Sequence, residues 1–141
     1  MPLVRISLQS GKPDAYRADI GNQVYEAMRE TLHIPAGDRF QIISEHDATR
    51  LIADPDFMVV QRSGGFLTIQ IFLSRGRNTE TKQALYRTIV QRLAERPGVR
   101  PDDVFILLTE VGLDDWSFGR GEAQYVLNPP QWAKNKEKVS A

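Results

Sequence analysis

The chain has no cysteine. That excludes a disulfide framework, a thiolate nucleophile and a zinc–thiolate centre. Histidine is nearly as scarce, with two residues, His33 and His46. A multi-His metal site within one chain is therefore not expected. Net charge is missing too, because 18 basic residues balance 18 acidic ones. A nucleic acid or an anionic membrane is thus not expected as the main partner. No apolar run approaches the ~18 residues of a membrane span, and the N-terminal region lacks a signal-peptide pattern. A cytoplasmic location is the default expectation. What is present is ordinary: 41% apolar and 26% charged residues over 141 positions. That length suits one domain able to bury roughly two-thirds of its unfolded surface.

Periodicity divides the chain into elements. Leu3 to Leu8 (LVRISL) alternates like a strand. Turn residues Ser10 to Asp14 follow, and a helix is predicted from about Pro13 to Leu32, with Ile20, Val24, Met28 and Leu32 on one face. Ile34-Pro35-Ala36-Gly37-Asp38 breaks it, and Phe40 to Ser44 reads as a second strand. Asp47 to Gly65 reads as a long excursion holding at most one short strand, at Phe57 to Val60. Phe66 to Leu73 (FLTIQIFL) is the most strand-like run. Asn78 or Thr79 can cap a second helix, running to about Arg96 with Leu85, Ile89 and Leu93 in line. Val104 to Thr109 (VFILLT) completes four strands.

The same order occurs twice: strand, Gly-containing turn, helix, Pro/Gly break, Asp, strand. Leu3–Leu8 corresponds to Leu67–Phe72, and Asp38 to Asp102. The fold class predicted is α+β, a tandem β-α-β repeat with a four-stranded sheet and two helices on one face. The repeats cover about residues 2–46 and 66–110 of a domain spanning 1–130, and 131–141 is expected to be a mobile tail. The strand before Arg75 is expected to be central and parallel to the strand that begins at Pro2. The uncovered sheet face predicts association, most simply as a closed ring.

Few residues suit chemistry. Met1 is followed by Pro2, and aminopeptidases remove an initiator Met before a small residue. Processing would free a secondary amine near the reference α-amino pKa of about 7.7–8.0, fit to act as acid or base or to form an iminium ion with a carbonyl. Pro2 equally suits the first position of a strand. Arg75 and Arg77 flank Gly76 at a strand end. Their two guanidinium forks can clamp a carboxylate or phosphate, or stand as solvated surface charges. Asp38 is either a turn carboxylate paired with Arg39 or a partner that orients the amine or activates water. Trp116 and Phe118, at i and i+2 beside Gly119 and Gly121, are core residues or a pocket wall. His46 reads as structural.

The set Pro2, Asp38-Arg39, Ser74-Arg75-Gly76-Arg77 and Asp115-Trp116-Ser117-Phe118-Gly119-Arg120-Gly121 resembles the tautomerase superfamily, in particular its malonate semialdehyde decarboxylases. The likeness runs over about residues 2–127. It implies a trimer of β-α-β repeats and a lyase or isomerase that needs no cofactor and no metal. It further implies Pro2 as catalytic amine, Asp38 as its partner, and Arg75 with Arg77 as holders of a small carboxylate substrate. Trp116, Phe118 and Tyr125 would form the apolar wall. Gly76 departs from the Pro of the family's S-R-P-R pattern. The activity implied is decarboxylation of a small 3-oxo acid. The alternatives are keto–enol tautomerisation of 2-oxo acids, hydration or dehalogenation of 3-haloacrylates, and a small-ligand regulatory module without catalysis. Two Arg near Pro2 favour a base; Asp38 favours an acid.

Overall fold

The computed structural model describes residues 2–134. Four strands form one sheet: β1 (Leu3–Gln9), β2 (Gln41–His46), β3 (Leu67–Ser74) and β4 (Val104–Val111), in the order β2-β1-β3-β4. Two long helices, α1 (Asp14–Leu32) and α2 (Thr79–Glu95), pack side by side on one face, and a short α3 (Gln124–Leu127) follows β4. None of the helices described is long and apolar enough to cross a membrane.

Side-chain period explains the layers. Val4, Ile6 and Leu8 of β1 and Leu67, Ile69, Ile71 and Leu73 of β3 point to the helical face, each at most 2% exposed. Ile20, Val24, Ala27 and Met28 of α1 meet them together with Leu85, Ile89 and Leu93 of α2. These are the positions that four-residue stepping picked out. Burying each large side chain contributes about 1.5–3 kcal/mol. Asn78 caps α2, its Oδ1 accepting the Thr81 N–H at 2.9 Å.

Among the described residues, neither long helix lies on the other sheet face. Its centre is polar, with Arg5 and Ser7 on β1 and Thr68 and Gln70 on β3. Its flanks are apolar and exposed: Phe40 (50%) and Ile42 (47%) on one side, Phe105 (46%) and Leu107 (51%) on the other.

Two expectations need correction. β3 runs antiparallel to β1, with Leu3 opposite Phe72 and Leu8 opposite Leu67. β1 with β2 and β3 with β4 are parallel. The reason lies in the connection. β2 ends at His46, beside Gln9 at the far end of β1, and the chain stays at that end through residues 47–66. It re-enters the sheet there, so β3 must run back. The second correction is that Phe57–Val59 is a 3-10 turn, not a strand. Asp54 Oδ1 accepts the N–H groups of Asp56 (3.1 Å) and Phe57 (3.0 Å), which closes the backbone locally. Arg62 Nη1 ties the Asp54 and Phe57 carbonyls together at 3.2 and 3.0 Å.

Candidate active site

The antiparallel centre gathers both motifs at one end of the sheet. Leu3 pairs with Phe72, so Pro2 stands next to Leu73, just before Ser74-Arg75-Gly76-Arg77. Val4 pairs with Gln41, and the Val4 N–H reaches the Phe40 carbonyl at 3.0 Å, which brings the Asp38–Phe40 stretch alongside the start of β1. Ser74 pairs with Val111, which leads into the aromatic segment. Pro2, Asp38, the Arg pair and Trp116 thus come from four chain segments meeting at one sheet end. His46 lies at the opposite end, beside Gln9.

Each residue has a local cause for its position. Asp38 closes a turn, its N–H donating to the Pro35 carbonyl at 3.2 Å. Gly37, at φ 87°, supplies the left-handed third position that this turn requires. The Tyr25 hydroxyl accepts the Gly37 N–H at 3.2 Å. Arg39 points its guanidinium at Gln41 Oε1 (3.3 and 3.2 Å) and over the Tyr25 ring. Asp38 itself is half-buried, its Oδ1 closed off from solvent.

Ser74 is 1% exposed and is the hinge of the Arg motif. Its Oγ accepts the Trp116 Nε1–H at 3.1 Å, and its carbonyl accepts Arg77 Nη1 at 2.8 Å. Gly76 has φ 131°, open to glycine and closed to proline, whose ring fixes φ near −65°. The Gly76 N–H donates to the Glu110 carboxylate, a bond proline could not make. Lys82 Nζ also donates to Glu110. The departure from S-R-P-R is therefore built into the turn. Gly112 opens space for Arg75: a methyl there would stand 3.4 Å from Arg75 Nη1 and 2.8 Å from Asp114 Oδ1.

The aromatic residues collect as well. Trp116 and Phe118 stack with centroids 5.5 Å apart and planes at 28°. Tyr125 meets Phe118 edge-on at 4.8 Å. Gln124 fastens the loop, accepting the Phe118 N–H and donating to the Gly119 carbonyl, both at 2.9 Å.

Electrostatics link the groups. Burial presses the Arg77 guanidinium below its ordinary value, and Tyr125, Glu110 and Asp38 oppose this. Arg77 remains a cation throughout the physiological range. Burial raises the Tyr125 phenol, Asp38 adds to the rise, and Arg77 counters it. Tyr125 is accordingly a neutral hydroxyl at neutral pH. A cleft of about 320 Å³ opens beside the pair, lined by Leu32, His33, Arg75, Gly76, Arg77 and Trp132. Sequence reading placed Ser74 in the Arg motif without giving it a role, and it missed Glu110, His33 and Trp132. Ser74 and Glu110 act through polar contacts that leave no periodic trace. Trp132 lies in the segment expected to be a mobile tail. Gln131 to Lys134 form a helical turn, with the Ala133 N–H donating to the Pro130 carbonyl at 3.0 Å. The rest of that expected tail, 135–141, lies outside the described residues.

This arrangement can hold a small carboxylate between two guanidinium groups with an aromatic wall beside it. The chain is similar to several known proteins. The model of the family described as "Tautomerase enzyme" matches residues 38–119. The probable tautomerase YusQ of Bacillus subtilis (strain 168) is 36% identical over 126 residues, covering 89% of this chain and 99% of that protein. The structure of FG41 malonate semialdehyde decarboxylase inhibited by 3-bromopropiolate is 43% identical, with a TM-score of 0.85, covering 92% of this chain and 98% of that one. A second malonate semialdehyde decarboxylase, whose structures are linked to decarboxylase and hydratase activities, is 29% identical with a TM-score of 0.83, covering 91% and 98%. With a β-α-β sheet of the same architecture and a matched sequence core, the chain belongs to the tautomerase enzyme family.

Proposed function

We propose that this enzyme decarboxylates a small 3-oxo acid of the malonate semialdehyde type without a cofactor. The supporting observation is the juxtaposition at one sheet end: the start of β1 at Pro2 lies beside the S-R-G-R turn that closes β3. The likeness to FG41 malonate semialdehyde decarboxylase over nearly the whole chain points the same way.

In this reading Met1 is removed and Pro2 carries a protonated secondary amine. Arg75 and Arg77 receive the substrate carboxylate and hold the breaking C–C bond across the π system of the carbonyl. Pro2 donates a hydrogen bond to the 3-carbonyl oxygen, or condenses with it to an iminium ion. The C1–C2 bond breaks, its electron pair moves into the enolate or enamine, and carbon dioxide leaves. Protonation at C2 then yields the aldehyde directly from the enolate; from the enamine it yields an iminium, which water hydrolyses to release the aldehyde and regenerate the Pro2 amine. Asp38 favours the protonated amine, whereas the two Arg disfavour it. The stacked Trp116 and Phe118 with Tyr125 favour neutral carbon dioxide over a solvated carboxylate.

The probable tautomerase YusQ supports a second reading, ketonisation of 2-oxo acid enols with Pro2 as base. The two separate by proton NMR on malonate semialdehyde and phenylenolpyruvate. Carbon dioxide loss from the first is expected as the dominant activity; ketonisation alone would replace the decarboxylase reading with the tautomerase one. Pro2→Ala should lower decarboxylation by about 10²-fold or more. Treatment with 3-bromopropiolate should place its adduct on Pro2 in a mass spectrum. Full turnover by Pro2→Ala, or an unreactive amino terminus still bearing Met1, would sink both readings.

We also propose a homotrimer. The exposed flanks Phe40, Ile42, Phe105 and Leu107 supply an apolar surface for it. Light scattering coupled to gel filtration should return three times the 16.0 kDa chain mass.

A further inference from the structure

The ring wall and the Arg turn meet at Ser74, the last residue of β3 and 1% exposed. Its hydroxyl oxygen accepts the Trp116 Nε1–H at 3.1 Å. Its carbonyl accepts Arg77 Nη1 at 2.8 Å. One residue thus touches both the aromatic wall and the second guanidinium, through two different atoms. Changing its side chain removes the first contact and keeps the second.

The two partners differ in what they can spare. A guanidinium has five N–H donors, so Arg77 can give one to Ser74 and keep the rest for a carboxylate. An indole has a single N–H and accepts nothing. Ser74 Oγ therefore holds the one polar handle of Trp116. Neighbouring bonds of that segment are local. The Gly112 N–H donates to Asp115 Oδ2 at 2.6 Å, and Gln124 holds Phe118 and Gly119 at 2.9 Å. The Ser74 bond instead spans 42 residues of chain and ties the segment to the sheet. Phe118 stacks on Trp116, and Tyr125 meets Phe118 edge-on, so the plane of one indole carries through the wall.

We propose that Ser74 is a positioning residue. Its hydroxyl fixes the plane of Trp116 beside the carboxylate held by Arg77, so that the apolar wall and the Arg pair keep one relation to each other. The proposal rests on the reading that Arg75 and Arg77 hold the substrate carboxylate and that Trp116 lines the same site.

The test is a double-mutant cycle on the full-length enzyme: the parent, Ser74→Ala, Trp116→Phe and the double variant. It is run on whichever of malonate semialdehyde and phenylenolpyruvate the parent turns over. Ser74→Ala should lower kcat by about tenfold and move KM by less than about twofold, because a misplaced wall acts on the transition state more than on binding. In the Trp116→Phe background, where no indole N–H remains, Ser74→Ala should change kcat by less than about twofold. Equal losses in both backgrounds overturn the proposal. So does a Ser74→Ala protein that melts lower yet keeps the parent kcat, since that is a structural role alone. If Ser74→Ala fails to fold, Ser74→Cys replaces it, because sulfur is a weak acceptor of similar size. The expected and contrary results are the same.

A binding readout separates this proposal from the catalytic reading. Malonate, which carries the carboxylate and lacks the aldehyde, is titrated into Trp132→Phe. That variant keeps a ring beside Arg77 and leaves Trp116 as the sole indole of the two in the chain. Malonate should change Trp116 emission. Adding Ser74→Ala should abolish that change while calorimetry still finds malonate bound, because Arg75 and Arg77 are untouched. This result supports the positioning role even if the parent turns over neither substrate, an outcome that ends the catalytic reading alone. The same emission change with and without the Ser74 hydroxyl overturns the positioning role. Absence of malonate binding to the parent overturns both the carboxylate cradle and the role built on it.

Discussion

At one end of the sheet Arg75 and Arg77 stand beside an open cleft; at the other, Arg100 turns onto Asp103. The two ends are related by the β-α-β repeat, in which Asp102 is the counterpart of Asp38. What differs is the segment that reaches each end. The long excursion of residues 47–65 enters the Asp102–Asp103 end and ties up its carboxylates with hydrogen bonds. Gln61 N–H donates to Asp102 Oδ2 at 3.1 Å. Ser63 donates to Asp103 from its N–H at 2.7 Å and from its hydroxyl at 2.6 Å. Asp103 is 2% exposed as a result. The segment after β4 reaches the Pro2 end with rings instead of polar backbone, and it lines that end rather than filling it. The same scaffold has one end tied by a polar loop, with Arg100 engaged by Asp103, and one end lined by rings beside the Arg pair.

The strongest way to break this contrast is to remove a charge from each end and compare what is lost. Arg77→Ala should lower kcat/KM for the short oxo acid by about 10²–10³-fold, in the range for deleting one preorganised electrostatic contact. Arg77→Lys should recover only part of it, since an ammonium cannot reproduce a planar fork. Asp103→Ala should do the opposite: kcat stays near the parent value, while stability falls by about 3 kcal/mol through lost charge-assisted hydrogen bonds. Thermal melts and steady-state kinetics on both variants decide it. Asp103→Ala with an unchanged melt and abolished turnover would move the functional end to the wrong side of the molecule.

How much of this the sequence carried depended on the kind of force involved. Ile20, Val24 and Met28 announced α1, and Leu85, Ile89 and Leu93 announced α2, because burial repeats with the helix period. The duplication was visible for the same reason. The direction of β3 was not, because a strand looks the same read either way in its alternation; direction is set by where residues 47–66 travel. That one fact decides whether Pro2 and Arg75 share a sheet end. Trp116, Phe118 and Tyr125 were picked out by type and resemblance, and the structure clusters their rings. The roles of Ser74 and Glu110 stayed hidden because a hydrogen bond between residues far apart in the chain has no local pattern. Trp132 was hidden by its Lys-containing surroundings, which read as solvated tail.

The Arg turn itself offers a sharper and smaller test. Gly76 sits at φ 131° and uses its N–H on Glu110. Gly76→Pro would supply the residue of the family's S-R-P-R pattern but remove both features. It should raise KM for the oxo acid by about tenfold, with kcat reduced less, because the two guanidinium groups are re-aimed rather than removed. Gly76→Ala keeps the N–H and strains only the backbone, so it should fall between parent and Gly76→Pro. Unchanged KM in Gly76→Pro would mean that the turn tolerates both conformations and that Glu110 does not set the aim of the pair.

The smallest expected effect concerns Glu110 and pH. Hydrogen bonding from Lys82 holds the Glu110 carboxyl below its ordinary value of 4.5, with the charge of Lys82, the Gly76 N–H and the charge of Arg75 adding to this. The folded state therefore binds this proton more weakly than the unfolded chain. Its stabilising contribution is complete above the ordinary carboxyl range and is lost as pH falls through the lowered folded value. Both partners are more than a quarter exposed, at 27% for Lys82 and 28% for Glu110, so solvent screening keeps the contribution to a few tenths of a kcal/mol. Glu110→Gln retains an acceptor for Gly76 and removes the titration. Between pH 6 and pH 3.5 the parent's melting temperature should fall by about 1 °C more than that of Glu110→Gln, on the scale of 2–4 °C per kcal/mol for a chain of this size. Salt should shrink the gap, because screening weakens an exposed pair. Superimposable pH profiles would assign the packing of the turn to Gly76 geometry alone and leave the Lys82–Glu110 pair as a surface contact without consequence for the Arg cradle.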